Sequence, residues 1–396
     1  MSELTIREIT KSEIPKVARF IAQVLAGGNS ERYDLLYERY ANQLPNRPSQ
    51  LAWVYRAMFR KQQIASVIHT YDFVLRYGRA SLKVVAISML CTQSQYRHQG
   101  YASALLRYTL TYTAEQGAHL VLLNSNIDDF FPRFGFSPVW ASYTLSSPTA
   151  LASQLKQPHQ LRIATPTDLP IMAQLYNQYW GMRVTAERPM NWWRWRMEHG
   201  RGDAAVIINA KHDIEGYIWH LADDFSSLNE VVATTPKAIT SALAYSGRRW
   251  QAGGYDQLIW SVPPDDVIIP YAQQMLPTTL SATFHPTGGW MARVIDASAL
   301  LRELMPEIIA QAQATNLEFN PDDLIILPTP DGIDIGLQTN PKAHAHLSLR
   351  DFIQLVFGSL RPTALAVRQH LSFDSLTLLE TLFPPRVAAL GAWDWI

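Results

Sequence analysis

Ser88-Met-Leu-Cys-Thr-Gln-Ser-Gln-Tyr-Arg97-His-Gln-Gly100-Tyr-Ala102 decides the fold, because it joins a strand to a helix through an Arg-x-x-Gly-x-Ala turn. Just upstream, Val84, Val85, Ala86, Ile87, Met89 and Leu90 form the short apolar run expected of a strand covered on both faces. From Ala102 onward apolar residues recur at helical spacing as far as Gly117, a residue suited to ending a helix. A helix start leaves several backbone N–H groups without partners in the helix and carries the positive end of its dipole. A glycine in the preceding turn lets the backbone come close to a ligand, and that geometry binds a pyrophosphate.

A second stretch extends the pattern: Val121-Leu-Leu-Asn-Ser-Asn-Ile-Asp-Asp-Phe-Phe-Pro-Arg-Phe-Gly-Phe-Ser-Pro138. The interval between the two fits one strand–helix–strand unit. The first stretch resembles the acetyl-CoA-binding motif of the GNAT superfamily of N-acyltransferases, Gln/Arg-x-x-Gly-x-Gly/Ala. The second resembles the other half of that site, where a strand leads through a short helix and an Arg-Phe-Gly-Phe turn to the next strand.

At 396 residues the chain is too long for one such domain. Its 34 basic and 34 acidic residues cancel, and no basic block stands out, which argues against a nucleic-acid partner. One cysteine, Cys91, excludes an intramolecular disulfide and a cysteine metal cluster. The first residues lack a basic-then-apolar leader, and no run approaches membrane-spanning length, so a cytoplasmic protein without membrane contact is expected. Few charged residues, 17%, beside many Trp and Tyr suggest self-association.

The chain also repeats itself. Arg7, Thr10, Pro15 and Ala18 recur at a constant offset as Arg162, Thr165, Pro170 and Ala173. In each copy a strand precedes a helix capped by threonine, with an acidic residue three positions on. The second copy has Thr-Pro before its helix and no Arg-x-x-Gly-x-Ala turn, so it is expected to keep the architecture without binding CoA. The expected division is residues 1–145 for the CoA-binding domain, 146–160 for a Ser-, Pro- and Gln-rich linker, and 161–290 for the degenerate copy. Residues 291–396 resemble a sterol-carrier-protein-like domain, with strands at 324–327 and 332–337 and a capped helix at 347–358. The fold class is α+β, with mixed α/β units: two tandem GNAT-like domains followed by the sterol-carrier-like one.

That order resembles the Eis (enhanced intracellular survival) acetyltransferase family over essentially the whole chain. The resemblance implies an acetyl-CoA-dependent N-acetyltransferase acting on a primary amine (an aminoglycoside, polyamine or lysine-type acceptor) by direct transfer in a ternary complex. It implies no metal, and a homo-oligomer, a hexamer by family analogy. Residue by residue, Leu90, Cys91 and Thr92 would offer strand backbone to the pantetheine arm. Arg97, His98, Gln99, Gly100, Tyr101 and Ala102 would wrap the pyrophosphate, while Ser125 and Asn126 would stand at the acyl group. The terminal carboxylate, here on Ile396, would be the base. Phe131 stands where the family has a tyrosine that protonates the departing thiolate, so that acid role is vacant.

Other residues have simpler roles beside the functional ones. Cys91 suits a small buried strand residue better than an acyl-accepting nucleophile. Asp128, Asp129 and Asp394 are possible acceptor-binding carboxylates, although the first two also suit the start of a helix. His344 and His346 fit a polar edge strand better than a metal site. Trp192, Trp193 and Trp195 fit core or interface better than a substrate cleft. Two other functions stay open: a non-catalytic acyl-CoA-binding protein with a regulatory or scaffolding role, favoured by Phe131, and a lipid or hydrophobic-ligand carrier.

Overall fold

The structure, a computed structural model, describes residues 4–43, 53–60, 63–127, 129–181, 183–199, 202–220, 230–314, 320–388 and 390. The chain opens with β1 (Leu4–Glu8), α1 (Ile14–Ala26), α2 (Ser30–Gln43), β2 (Trp53–Arg60), β3 (Gln63–Tyr77) and β4 (Ala80–Thr92). Next come α3 (Tyr101–Glu115), β5 (Leu120–Ser125), β6 (Ser137–Trp140), β7 (Ser142–Pro148) and α4 (Thr149–Gln154). The second copy carries β8 (Gln160–Ile163), α5 (Leu169–Trp180), β9 (Val184–Ala186), α6 (Met190–His199), β10 (Asp203–Ile208) and β11 (Ile214–His220). It continues through β12 (Glu230–Ala233), α7 (Pro236–Ala252), β13 (Gln257–Ser261), α8 (Ile268–Met275), β14 (Thr279–Thr283) and β15 (Gly289–Val294). The last part holds α9 (Ala297–Ala314), β16 (Leu324–Pro328), β17 (Gly332–Leu337), β18 (His344–Ser348), α10 (Leu349–Val356), α11 (Pro362–Gln369) and α12 (Phe373–Leu382).

The first sheet runs β1-β2-β3-β4-β5-β15-β6, with β9 also paired to β3. α3 covers one face, where Leu105, Leu106 and Leu110 pack on Ile68, Val85, Ile87, Val121 and Leu123. α1 covers the other, through Val17, Phe20 and Ile21 on Val67, Met89 and Cys91. The lower half of the same sheet shares one core with the C-terminal helices and strands, from Leu75, Tyr77 and Leu82 to Leu304, Phe352 and Leu379. A separate sheet, β16-β17-β18, belongs to that last part. Among the described residues no helix is long and apolar enough to cross a membrane.

The repeat has a three-dimensional counterpart. Arg7 holds Glu13 with two hydrogen bonds of 2.8 and 2.7 Å, and Glu13 accepts the Thr10 N–H at 2.8 Å. In the second copy Arg162 holds Asp168 at 2.7 and 2.8 Å, and Asp168 accepts the Thr165 N–H at 2.7 Å. The same three side-chain types thus close the start of α1 and of α5.

Two strands cross between the copies, and this corrects the boundaries read from the sequence. Residues 146–160 are not a linker: β7 is the central strand of the sheet β13-β7-β14, and α4 follows it at once. In exchange, β15 sits between β5 and β6 in the first sheet rather than opening the C-terminal part. β14 pairs antiparallel with β7 from Thr279↔Ser146 to Thr283↔Ser142, and β15 pairs antiparallel with β6 from Trp290↔Trp140 to Ala292↔Ser137, so two paired segments link the sheets. Ser and Thr make β7 look like a loop, yet pairing on both edges satisfies its backbone, and Leu145 and Ser147 are buried.

Candidate functional site: a split between parallel strands

β4 and β5 are parallel neighbours, paired from Val84↔Leu120 to Ile87↔Leu123 and no further. Beyond that point β4 stays with β3 up to Thr92, while β5 stays with β15 up to Ser125, so the sheet divides into two halves. The place of the split has a local cause. Opposite β3, His69 pairs with Met89 and Thr70 with Ile87, which leaves Ser88 as an extra residue in β4. Such a bulge bends its strand and breaks the alternation of faces. Val85 and Ile87 accordingly face α3, whereas Met89 and Cys91 face α1 and Leu90 returns to the α3 side.

This reversal fixes the surroundings of Cys91. It lies in the apolar layer beneath α1, and burial pushes its thiol up to about 12, which withholds the thiolate a nucleophile needs. Its carbonyl accepts the Ser66 hydroxyl at 2.9 Å, and Thr92 Oγ1 meets the same hydroxyl at 2.9 Å. Leu90 and Thr92 are half-buried along the edge of β4 that β5 has left.

The turn after β4 is exposed at Arg97, His98, Gln99 and Gly100. The Arg97 Nε–H lies 3.4 Å from the Thr92 carbonyl, and Gln99 Nε2 donates to the Gln95 carbonyl at 3.0 Å. His98 (φ 60°) and Gly100 (φ 80°) both adopt left-handed backbone. Gly100 is the N-cap of α3, and a Cβ added there would meet nothing within 4 Å. Packing therefore does not demand glycine; the left-handed turn does, and it leaves open space before the first N–H groups of α3. Tyr101 is buried edge-on to Tyr96 with ring centroids 5.7 Å apart, and Ala102 is half-buried, so the helix start is anchored from behind.

Across the split, Ser125 is buried and its Oγ accepts the Ile127 N–H at 3.0 Å, while Asn126 is exposed. Asp129 is exposed in left-handed backbone before a single 3₁₀ turn, Phe131–Phe134, and not before a longer helix with a developed dipole. Phe131 is buried among aromatic rings, 5.0 Å from Phe130 and 5.7 Å from Phe136 by centroid. Asp128, Asp394 and Ile396 lie outside the described residues.

Sequence reading missed His69. It is buried on β3 at the bulge, with Nδ1 hydrogen-bonded to Ser88 Oγ. Its ring lies 6.1 Å from that of Tyr71, which packs with Trp195 of α6. The second copy thereby reaches the face of the sheet opposite α3. Only the cross-strand register brings His69 to Ser88, and no local motif signals it.

The other side chains singled out lie elsewhere. Trp192 and Trp193 belong to the core of the second copy, where Arg188 stacks 4.6 Å from one ring and 5.4 Å from the other. His346 pairs with Asp334 at 2.7 Å on a strand of the last sheet. Among the described residues no group of three His, Cys, Asp or Glu could hold a metal. A cavity of about 520 Å³ opens at the other end of β4, lined in part by Lys83, Val85, Glu187 and Arg188. It is separate from the split.

Residues 5–139 match the family described as acetyltransferase (GNAT) domain. The N-terminal unit is a GNAT acetyltransferase domain. Domains of this family take acetyl-CoA as co-substrate and act on small-molecule or protein amines. The split between β4 and β5 and the open start of α3 both lie within the matched residues. No curated protein matches the sequence. Solved structures resemble the entire chain. A probable N-acyltransferase from Enterococcus faecalis V583 shares 13% identity at a TM-score of 0.67, covering 98% of this chain and 99% of that one. A GCN5-related N-acetyltransferase from Anabaena variabilis shares 14% at 0.66, with the same coverage. Eis1 from Mycobacterium abscessus shares 15% at 0.59, again over 98% and 99%. At these identities the likeness is one of fold.

Proposed function

We propose that this chain is an acetyl-CoA-dependent N-acetyltransferase of Eis type, passing acetyl directly to a primary amine of an aminoglycoside, a polyamine or a lysine. One observation carries the reading: β4 parts from β5 at the Ser88 bulge, and the same chain then starts α3 at an open, left-handed Gly100. A pantetheine arm can add to the freed edge of β4 while N–H groups at the start of α3 receive the pyrophosphate. Residues 90–92 and 97–102 are the donor contacts in this reading, with Ser125 and Asn126 across the split.

The chemistry asks for proximity, a polarised carbonyl and a proton acceptor. Strand N–H groups at the split polarise the thioester oxygen, and holding donor and amine together supplies much of the rate. The carboxylate of Ile396 is the base, and Asp128, Asp129 and Asp394 are acceptor-side carboxylates. Phe131 has no proton to give, so the thiolate is protonated from water. The second copy serves as architecture, and the C-terminal part, read as sterol-carrier-like, closes the acceptor side. A cytoplasmic homo-oligomer, hexameric by analogy with the Eis family, completes the proposal.

Buried Phe131 favours a second reading, an acyl-CoA-binding protein without turnover. Free-thiol release from acetyl-CoA, followed with untagged protein over a panel of amines and aminoglycosides, separates the two. Acceptor-dependent release supports the transferase. Tight acetyl-CoA binding with no release for any amine class supports the binding protein.

A further inference from the structure

The cavity at the other end of β4 has the walls of a binding site that the split does not use. Its volume of about 520 Å³ and its place between the two copies are those usual for small-molecule sites. α3 stops at Glu115, the chain turns off through left-handed Gly117, and the cavity opens beyond this turn, over the foot of β3 and β4. A Cβ on Gly117 would meet nothing within 4 Å. On this face of the hairpin Asp72 stands opposite Val85, and Val74 opposite Lys83. Buried Val85 and half-buried Val74, with Ala118 and Pro189 beside them, give the cavity an apolar floor.

The walls are held from both copies. The Glu187 N–H donates to the Val74 carbonyl at 2.8 Å, which ties the second copy to the edge of β3. Buried Arg188 donates twice to Glu230, at 2.8 and 2.6 Å, and stacks 4.0 Å from the centroid of Tyr176. Arg76 donates to Asn177 Oδ1 at 3.1 Å and lies 3.9 Å from Glu187, which also accepts the Ser81 hydroxyl at 3.0 Å. Lys83 differs from these two arginines. His119 holds its backbone, accepting its N–H at 3.2 Å and donating to its carbonyl at 2.9 Å. Among the described residues, however, no hydrogen bond or ion pair engages its ammonium.

With Arg76 answered by Glu187 and Arg188 by Glu230, the lining has one positive end at Lys83 and one negative end at Asp72. These positions are diagonal across the two strands, roughly 7–8 Å apart, with Val74 and Val85 between them. A carboxylate accepts several hydrogen bonds at once, so Asp72 can receive an ammonium beside the partner it already has. A simple anion would face Asp72 and Glu187, and a simple cation would face Lys83. A molecule carrying both charges on an apolar body meets each feature of the lining.

We propose that this cavity is a second ligand site, for a zwitterion whose ammonium and carboxylate are joined by an apolar chain. The carboxylate lies on Lys83, the ammonium on Asp72, and the chain over Val74 and Val85. Binding here needs no turnover, so the site stands whether or not acetyl is transferred at the split.

Calorimetry on the untagged full chain without acetyl-CoA tests the site with 6-aminohexanoate and its singly charged relatives, hexanoate and hexylamine. 6-Aminohexanoate should bind at least fivefold tighter than either relative. Lys83→Gln should lower its affinity to that of hexylamine, and Asp72→Asn to that of hexanoate. Val74→Trp, which fills the floor, should abolish binding of all three. Acetyl-CoA affinity should stay within twofold of the parent in every variant, which shows that each one folds. Because 6-aminohexanoate is itself a primary amine, binding that survives all three substitutions lies at the acceptor side instead and overturns the second site. Equal affinity for the three probes overturns it too, as does no binding of 6-aminohexanoate up to about 10 mM.

Discussion

Two helices follow corresponding strands in the two copies, and they begin in opposite ways. α3 starts at left-handed Gly100 with open space before it. α7 starts at Thr235, whose Oγ1 accepts the Ala238 N–H at 3.2 Å and donates to the Glu215 carboxylate at 2.6 Å. Glu215 also accepts from Asn209 at 2.7 Å and meets His159 Nε2 at 3.0 Å; these contacts, led by the Thr235 hydroxyl, lower its pKa. The anion at the start of α7 is thus the protein's own. The strands differ too: β4 and β5 share one sheet up to the split, whereas β12 and β13 lie in different sheets. A duplicated framework leaves one helix start open and fills the other from within.

The strongest way to break this contrast is to spoil the open copy. Gly100→Val should abolish acetyl-CoA-dependent thiol release and weaken acetyl-CoA binding at least a hundredfold by calorimetry. Stability should fall only by the strain of a left-handed non-glycine residue, about 1–2 kcal/mol. Undiminished binding would remove the turn from the donor site. The reverse experiment unplugs the closed copy: Glu215→Gln should leave the stoichiometry at one acetyl-CoA per chain, because β12 and β13 offer no split between parallel neighbours. A second equivalent would mean that the carboxylate alone had kept that copy silent. Phe131→Tyr sharpens the account of the open copy, with kcat expected to rise a few-fold at unchanged KM for acetyl-CoA. No rise would mean that thiolate protonation is not limiting.

The smallest effect concerns the paired caps. Asp168 is more buried than Glu13, so Asp168→Asn should cost about 1.5–3 kcal/mol and Glu13→Gln less than about 1 kcal/mol in urea unfolding. Arginine hydrogen bonds hold both carboxyls below their usual range in the folded protein, Glu13 at about 2. Their stabilisation is present above the unfolded value near 4 and is lost as pH falls through the folded one. Tm should therefore drop between pH 5 and 2, and drop less in the doubly substituted protein.

What could be read in the sequence was local. Gly100, Arg97 and the helical spacing after Ala102 lie within a few residues of one another, and the caps at Thr10 and Thr165 repeat a short pattern. The bulge at Ser88, the contact with His69 and the exchange of β7 for β15 depend on which strand lies alongside, and a single stretch of sequence carries little of that. β7 shows the difficulty most clearly. Its Ser, Thr and Pro have the composition of a connection, yet β13 and β14 pair with it on both sides. The ion pair of Glu307 and Arg386 was hidden for the same reason, since 79 residues separate its two charges.

The most direct test of the contrast is amide hydrogen exchange of the untagged protein with and without acetyl-CoA. Protection at residues 98–104 and along 88–92, with no change at 236–240, is the predicted result. Protection at the start of α7, or none at the start of α3, would contradict it.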